Sequence, residues 1–210
     1  MLLIISALIL AFFLGSIPFS WLLVWSLCGL DLRTLGSGNP GATNAIRGVG
    51  WKWGSLALVL DIFKGFLAVS LIPYLYHHDP FWLSAACGIA AIFGNVFCPF
   101  LKFKGGKAVA TASGVFLGVV PRSFLVAALV FFTVFAVFRK ISVGSLVCAI
   151  FLPLYLTAEW YWSFGDPVNS AILILAYGAA LVVILRHRTN IQRLLTGKEP
   201  VLVGKLEKRG

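Results

Sequence analysis

The sequence predicts an all-α integral membrane protein with seven transmembrane helices, and its composition and charge are the first two reasons. Of 210 residues, 60% are hydrophobic and 11% are charged. Soluble domains average about 45 to 50% apolar and about 25% charged residues. The net charge is +10, but a nucleic-acid-binding protein needs a soluble body with one basic face. Too little polar surface remains for that, so we expect the basic residues in the loops on one side of a membrane.

The third reason is the length of the apolar segments, at about 20 residues per crossing. Six are easily recognised: residues 2–27, 54–76, 81–101, 123–138, 141–162 and 167–185. The stretch 108–122 is harder to assign, because joining it to the next segment would include a kinking Pro121 and bury Arg122 in lipid. We therefore expect a break at Pro121 and a short crossing of roughly 13 residues before it.

The placement of Lys and Arg favours seven spans over six. With the N-terminus outside, every basic residue except Arg122 and Lys64 falls on the face that the positive-inside rule makes cytoplasmic, together with the C-terminus. These residues are Arg33, Arg47, Lys52, Lys102, Lys104, Lys107, Arg139, Lys140, Arg186, Arg188, Arg193, Lys198, Lys205, Lys208 and Arg209. Six spans would move Arg139 and Lys140 to the other side. The outer face keeps three carboxylates and an aromatic belt: Asp79, Glu159, Asp166, Trp82, Trp160, Tyr161 and Trp162.

We expect a single membrane-embedded domain over residues 1–210, with a basic tail from about residue 186. Residues 1–27 lack a basic n-region, which favours a span over a cleaved signal peptide. The four cysteines show no metal-ligand spacing and are interpreted as packed residues rather than disulfides: Cys28, Cys87, Cys98 and Cys148. His77 and His78, beside Asp79, are interpreted as solvated residues rather than a metal site.

Two glycine-rich segments on the cytoplasmic face are suited to binding phosphate. Residues 36–47 (GSGNPGATNAIR) can turn tightly and present backbone N–H groups and short polar side chains to an oxyanion. Residues 102–111 (KFKGGKAVAT) lead into the short span, whose N-terminal dipole we expect at the same pocket. The Walker spacing is absent. Simple anchoring of a helix end to lipid, the alternative, leaves the glycines unexplained.

A third basic segment follows the last span at residues 186–199 (RHRTNIQRLLTGKE). Its apolar residues fall at helical spacing opposite its polar ones, which predicts a short helix on the membrane surface. Anchoring to anionic lipid is the competing interpretation of this segment and stays open.

Two further patterns lie within the predicted spans. Asp61 and Lys64 share a helix face, and an embedded ion pair is either functional or a means of fixing the bundle. Gly114 and Gly118 form a G-x-x-x-G step, which we interpret as a helix-packing groove rather than a ligand contact.

The three segments, with LDIFKG at residues 60–65, resemble in order and spacing the bacterial acyl-phosphate:glycerol-3-phosphate acyltransferase family, PlsY. The resemblance covers essentially the whole chain. It implies a seven-span enzyme of the bacterial inner membrane that moves a fatty acyl group from acyl phosphate to the 1-hydroxyl of sn-glycerol 3-phosphate at a cytoplasmic active site. Lysophosphatidate and phosphate would be the products of this first acylation in phospholipid synthesis. We expect a monomer in contact with membrane lipid, with no cofactor and no nucleic-acid partner.

The resemblance also implies site residues, and no metal ligands among them. The catalytic set would be Ser37, Arg47, Lys104, His187 and Asn190. Substrate-binding residues would be Gly36, Gly38, Asn39, Thr43, Asn44, Gly105, Gly106, Lys107, Thr111 and Glu199. By motif, the first segment helps to hold substrate phosphates and the second forms another phosphate-binding loop. His187, Asn190 and Glu199 would border the glycerol 3-phosphate site.

The chain departs from the family pattern at two positions. Gly94-Asn95 stands where the family usually has Gly-His, so a role assigned to that histidine does not carry over. Ala108 replaces a glycine after the loop, and we expect this to matter less because alanine is a good helix former at the start of a helix.

The expected mechanism needs no metal and no protein base. No H-x-x-x-x-D dyad surrounds any histidine, and acyl phosphate is a mixed anhydride with a good leaving group. Positioning and electrostatic stabilisation can therefore carry the reaction. The acceptor's own phosphate, with a second pKa of about 6, can take the hydroxyl proton.

Two other classes of function compete with the enzyme. A transporter or channel for a phosphorylated anion would show internal repeats and a midplane site, and the sequence has no repeat. A non-catalytic lipid-binding protein leaves both glycine-rich segments unexplained. For the enzyme, Lys104→Ala or Arg47→Ala should lower rate or affinity sharply, whereas Arg139→Ala should have little effect.

Overall fold

The computed structural model describes residues 2–76 and 80–202, and the regular secondary structure in these ranges is helical. The α-helices are α1 (Leu2–Ser16), α2 (Phe19–Cys28), α3 (Ala42–Val49), α4 (Trp51–Tyr76), α5 (Pro80–Val96), α6 (Val109–Val119), α7 (Pro121–Phe138), α8 (Ile141–Trp162), α9 (Ser170–Arg186) and α10 (Arg188–Leu195). Two 3₁₀ turns, Leu32–Thr34 and Pro99–Leu101, lie in the connections. The predicted all-α class is confirmed.

Length and composition identify five candidate membrane spans among the described residues: Leu2–Cys28, Trp51–Tyr76, Phe81–Leu101, Pro121–Phe138 and Ile141–Trp162. A sixth consists of α9 and α10 if this pair, bent by 57°, is counted as one. The helix α6 is apolar but has only 11 residues. The structure therefore supports five or six spans by these criteria, with α6 as an additional short apolar helix.

The expected break before α7 is confirmed. Helix α6 ends at Val119, and α7 begins with Pro121 in its first turn, where the missing N–H needs no partner. Asp166 then accepts a hydrogen bond from the backbone N–H of Ser123 (2.8 Å) and so caps α7. Arg122 lies at the helix end and donates to the carbonyl of Gly165 (3.3 Å).

The first apolar segment is broken, although its sequence predicts a continuous span. Helix α1 ends at Ser16 and α2 begins at Phe19, because Pro18 has no N–H and disfavours helical backbone at Ile17. The carbonyl of Ile17, at the break, accepts from Lys64 (2.6 Å). Lys64 also pairs with Asp61 at 2.7 Å, and Ser20 donates to Asp61 at 2.6 Å. The embedded ion pair thus ties the broken segment to α4.

Helix α6 packs closely against α4. A Cβ atom on Gly114 would lie 1.8 Å from the carbonyl oxygen of Ile62, and one on Gly118 would lie 2.5 Å from a methyl of Val69. From the other side, a Cβ on Gly65 would lie 2.1 Å from the carbonyl oxygen of Thr111. The packing interpretation of the G-x-x-x-G step is therefore confirmed, and the contact holds the start of α6 in place.

All four cysteines are free, and three of them lie within the helix bundle. Cys98 donates to the carbonyl of Ser16 (3.0 Å) and Cys148 to that of Ala127 (3.1 Å). Cys28 is exposed, so interpreting it as a packed residue was wrong. The predictions for His77, His78 and Asp79, and those for Lys205, Lys208 and Arg209, lie outside the described residues.

Candidate functional site

A cavity of about 460 Å³ opens between the three polar segments and continues into the helix bundle. Twelve of the predicted site residues line its polar part: Ser37, Asn39, Thr43, Asn44, Arg47, Gly105, Gly106, Lys107, Thr111, His187, Asn190 and Glu199. The remaining part is an apolar arm between α6, α7, α8 and α9, defined by Phe116, Phe124, Ala127, Phe131, Leu152 and Ala176. One end of the cavity is therefore suited to polar groups and the other to a hydrocarbon chain.

Gly36 and Gly38 do not line the cavity, but they shape the first segment. Both have positive φ (48° and 70°), a region that glycine enters without steric cost. Asn44, which is buried, holds this turn by accepting from the N–H of Ser37 (3.1 Å) and donating to the carbonyls of Leu32 and Leu35 (both 2.9 Å). The amide hydrogens of Asn44 are thus used by the protein itself.

Arg47 extends from α3 and lines the cavity, and no hydrogen bond or ion pair to another described residue satisfies its guanidinium. Burial lowers its pKa; the nearby carboxylate of Glu199 opposes this shift, and the charge of Arg193 adds to it. Arginine stays protonated near neutral pH. An unpaired, half-buried guanidinium beside a cavity is a ready partner for an anion.

The second segment approaches α5 so closely that only glycine fits. The N–H of Gly105 donates to the carbonyl of Val96 and that of Gly106 to the carbonyl of Asn95, both at 3.1 Å. A Cβ on Gly105 would lie 2.0 Å from the carbonyl oxygen of Asn95. These contacts fix the loop against the end of α5.

Lys104 and Lys107 differ in position. Lys104 is exposed and does not line the cavity, whereas Lys107 is half-buried, lines it and donates to Asn190. Burial lowers the pKa of Lys107 to about 8, and the charge of Arg193 contributes to the shift. Of the two lysines, Lys107 is the one placed to contact a bound ligand.

Four backbone N–H groups around the start of α6 lack an acceptor among the described residues: those of Lys107, Val109, Ala110 and Thr111. The hydroxyl of Thr111 is also buried without a hydrogen-bond partner. All four residues line the cavity. The first N–H groups of a helix need partners from outside the helix, and a buried hydroxyl such as that of Thr111 nearly always has one. This amide cradle is suited to a phosphate or carboxylate oxygen at a helix N-terminus.

Ala108 does not start the helix, contrary to expectation. It precedes α6 with a left-handed conformation (φ 60°), which carries a steric penalty for alanine. The expectation that alanine acts here as a helix former was therefore wrong. A glycine would adopt this conformation without strain.

In the third segment, His187 is buried and its tautomer is set by a backbone contact. Its Nδ1 lies 2.8 Å from the carbonyl oxygen of Val183, which can only accept, so Nδ1 carries the hydrogen and Nε2 is left as an acceptor. Burial lowers its pKa to about 4, and the charge of Lys107 also lowers it, against the opposing effect of the Val183 contact and Glu199. Near neutral pH, His187 is therefore an uncharged hydrogen-bonding group.

Glu199 is buried beneath this segment and orients Asn190. It accepts hydrogen bonds from Ser142 and Asn190 (both 2.6 Å) and from Arg193 (2.8 Å). Burial opposes its ionisation, but these three donors outweigh it and lower its pKa. Because the amide N–H of Asn190 faces Glu199, its oxygen faces Lys107.

Sequence reasoning placed neither Ser142 nor Arg193 at the site. Ser142 lies on α8, and no motif links it to the tail residue that it contacts. The spacing of apolar residues predicts only that Arg193 lies on the polar face of a surface helix, although the carboxylate of Glu199 six residues later is a signal for an ion pair. Helix α10 (Arg188–Leu195) itself was predicted correctly.

Comparison with known proteins identifies related chains over most of the sequence. A family model described as glycerol-3-phosphate acyltransferase matches residues 5–197. The glycerol-3-phosphate acyltransferase of Trichlorobacter lovleyi is 47% identical over 189 residues, covering 90% of this chain and 92% of the relative. That of Chlorobium phaeobacteroides (strain DSM 266) is 35% identical and covers 95% of this chain and 96% of the relative.

Two solved structures have the same fold. One is the glycerol 3-phosphate form of PlsY (YgiH), an integral membrane glycerol 3-phosphate acyltransferase, with a TM-score of 0.84 at 37% identity. The other is its lysophosphatidic acid form, with a TM-score of 0.82 at 36% identity. Each alignment covers 94% of both chains.

Proposed function

The chain belongs to the glycerol-3-phosphate acyltransferase family, and we propose that it uses acyl phosphate as donor and acylates the 1-hydroxyl of sn-glycerol 3-phosphate. The products are lysophosphatidate and inorganic phosphate, in the first acylation of bacterial phospholipid synthesis. The observation that carries the donor assignment is the amide cradle at the mouth of the apolar arm. An acyl phosphate has one anionic end and one hydrocarbon end, which is what this arrangement can bind.

The acyl phosphate group binds the amide cradle in this proposal, with its chain in the apolar arm. The N–H groups of Lys107, Val109 and Ala110 donate to the phosphate, the hydroxyl of Thr111 adds a further donor, and the ammonium of Lys107 neutralises charge. Lys104 is exposed nearby and raises the local positive potential that attracts anionic substrates.

Glycerol 3-phosphate binds on the other side of the cavity. Arg47 has a free guanidinium for the acceptor phosphate, while Ser37, Asn39 and Thr43 offer short polar side chains beside it. Asn44, Gly36 and Gly38 hold the loop that carries them. Nε2 of His187 accepts a hydrogen bond from a glycerol hydroxyl, and Asn190 lies beside it.

The reaction is a direct acyl transfer. The 1-hydroxyl oxygen attacks the carbonyl carbon, a new C–O bond forms, and the C–O bond to phosphate breaks with its electron pair leaving on the phosphate. The proton passes from the hydroxyl to the phosphate of the acceptor, whose second pKa is about 6. His187, with a pKa of about 4, is a weak base and orients the hydroxyl instead. Lys107 and the unpartnered N–H groups stabilise the developing charge.

We also propose seven spans with α6 as the short crossing, the N-terminus outside and the C-terminus in the cytoplasm. The distribution of Lys and Arg supports this orientation. It places the polar end of the cavity at the cytoplasmic face of the bacterial inner membrane. We also propose a monomer, since a single chain brings the three polar segments to one cavity.

The test is a donor and acceptor assay with detergent-purified protein. Palmitoyl phosphate and glycerol 3-phosphate should yield inorganic phosphate and lysophosphatidate, whereas palmitoyl-CoA with glycerol 3-phosphate should yield no coenzyme A. Absence of phosphate release that depends on glycerol 3-phosphate would overturn the proposed reaction, and turnover with the thioester would overturn the donor assignment. A requirement for a divalent ion would overturn the mechanism. So would loss of turnover in His187→Ala with intact glycerol 3-phosphate binding.

A further inference from the structure

Arg186, the last residue of α9, contacts the loop of residues 104–108, here called the glycine loop, without lining the cavity. Its Nη2 donates to the carbonyl of Gly105 (2.9 Å), and its Nε donates to that of Gly106 (3.2 Å). A guanidinium presents donors in a rigid fork that can hold two acceptors at once, whereas a lysine is a single point of charge. The contact therefore orients two successive peptide groups.

Asn95, at the end of α5, holds the same loop from the other side. Its side-chain oxygen accepts from the N–H of Ala108 and its backbone oxygen accepts from that of Gly106, both at 3.1 Å. The side-chain contact matters because Ala108 is in a left-handed conformation that alanine does not favour. Asn95 thus stabilises a strained residue directly before the amide cradle.

These contacts determine which backbone groups remain available to a ligand. In a trans peptide the C=O and N–H point in opposite directions. When Arg186 binds the carbonyl of Gly106, the N–H of Lys107 is therefore directed away from Arg186. The carbonyls of Gly105 and Gly106, which would repel a phosphate, are occupied by a cation. The N–H groups of the cradle stay free.

We propose that Arg186 and Asn95 are positioning residues that clamp loop 104–108 for the phosphate of the acyl donor. Arg186 does not line the cavity; Asn95 does, but its side-chain and backbone oxygens both accept from N–H groups of the loop. Both residues therefore act through the backbone of the loop. The inference rests on the proposed function for the identity of the ligand. Binding of inorganic phosphate, the second product, tests the clamp separately.

The experiment compares Arg186→Lys and Arg186→Met with Arg188→Met in the full-length protein. Arg188 is an exposed neighbour with no hydrogen bond or ion pair to another described residue. For Arg186→Met, we expect the KM for palmitoyl phosphate and the inhibition constant of inorganic phosphate to rise about 10- to 100-fold, because two charge-assisted hydrogen bonds are lost. Arg186→Lys should fall between wild type and Arg186→Met, and the KM for glycerol 3-phosphate should change less than about twofold.

Asn95→Ala provides a second variant if Arg186 variants fail to fold. It should raise the same two constants and leave the KM for glycerol 3-phosphate unchanged. A merely structural role would lower the thermal midpoint without separating the two KM values. Equal rises in both KM values, or an unchanged palmitoyl phosphate KM in a folded variant, would overturn the clamp.

Calorimetric titration with inorganic phosphate separates failure of the clamp from failure of the proposed function. If wild-type protein shows no acyl transfer, the proposed reaction is overturned. The clamp is then still supported if Arg188→Met binds phosphate and Arg186→Met does not. It is overturned if both variants bind phosphate as wild type does.

Discussion

Lys107 donates a hydrogen bond to the side-chain oxygen of Asn190, 83 residues further along the chain. This contact joins the glycine loop to the segment that follows the last long helix. Glu199 completes it by accepting from the amide of the same Asn190. In the proposed enzyme, one chain of hydrogen bonds therefore links the ammonium that faces the donor phosphate to Asn190 and Glu199, which lie on the glycerol 3-phosphate side.

The two lysines of the loop should respond differently to substitution. Lys107→Ala removes a half-buried ammonium from the cavity. Because the phosphate then loses a charge-assisted hydrogen bond and a neutralising positive charge, kcat/KM for palmitoyl phosphate should fall by about 100-fold. Lys104→Ala should lower it less than about fivefold at low salt and have almost no effect at 0.5 M salt, because steering by exposed charge is screened. Steady-state kinetics at two salt concentrations measure both effects. A larger, salt-independent effect at Lys104 would assign the contact to that lysine instead.

The pH dependence should reflect Lys107 rather than His187. The pKa of Lys107 is lowered to about 8, so its positive charge is lost as the pH rises through that value and the KM for palmitoyl phosphate should rise. Lys107→Arg keeps the charge at high pH, so the pH at which this KM rises should be higher in the variant. His187, with a pKa of about 4, is uncharged throughout the neutral range and should contribute no step near its ordinary value. If the KM for palmitoyl phosphate still rises near pH 8 in Lys107→Arg, the pH dependence does not come from Lys107.

Ala108→Gly should stabilise the protein. The native backbone at Ala108 is left-handed, where alanine is strained by about 1 to 2 kcal/mol relative to glycine. The greater freedom of glycine in the unfolded chain offsets part of this gain. Measured in a single detergent, the thermal midpoint should rise by roughly 2 to 4 °C for each kcal/mol of net stabilisation. A lowered midpoint would show that Ala108 is not strained.

Gly105→Ala should disrupt the loop. The added Cβ would lie 2.0 Å from the carbonyl oxygen of Asn95 and 2.7 Å from that of Val96, and backbone atoms cannot move aside cheaply. Acyl transfer should fall at least about 100-fold through misplacement of the cradle. Gly178→Ala is the matched control, since nothing lies within 4 Å of its added Cβ and the position is helical. Comparable losses of activity in both variants would exclude a specific effect at the loop.

Much of the fold is predictable from short stretches of sequence. The break before Pro121 follows from local backbone chemistry, and the helix Arg188–Leu195 from the spacing of apolar residues. The break at Pro18 has an equally local cause, but the long apolar segment around it predicts a continuous span. The close packing of Gly114 on α4 also followed from a local motif.

The candidate site was predictable only in part. Motifs identified Arg47, Lys107 and His187, which the fold brings to one cavity. They could not separate Lys104 from Lys107, because exposure of neighbouring lysines depends on how the loop packs on α5. Ser142 shows no pattern of its own, since its importance comes from a partner 57 residues away.

The membrane class, most of the helices and the polar segments that can bind phosphate are predictable from the chain alone, because apolar length, proline chemistry and glycine content act locally. Three properties emerge only in the folded protein: which N–H groups stay free, which lysine faces the cavity and that Arg186 holds the loop. Those properties depend on the direction of individual hydrogen bonds between distant segments. Such directions are set by packing, which no local pattern in the sequence records.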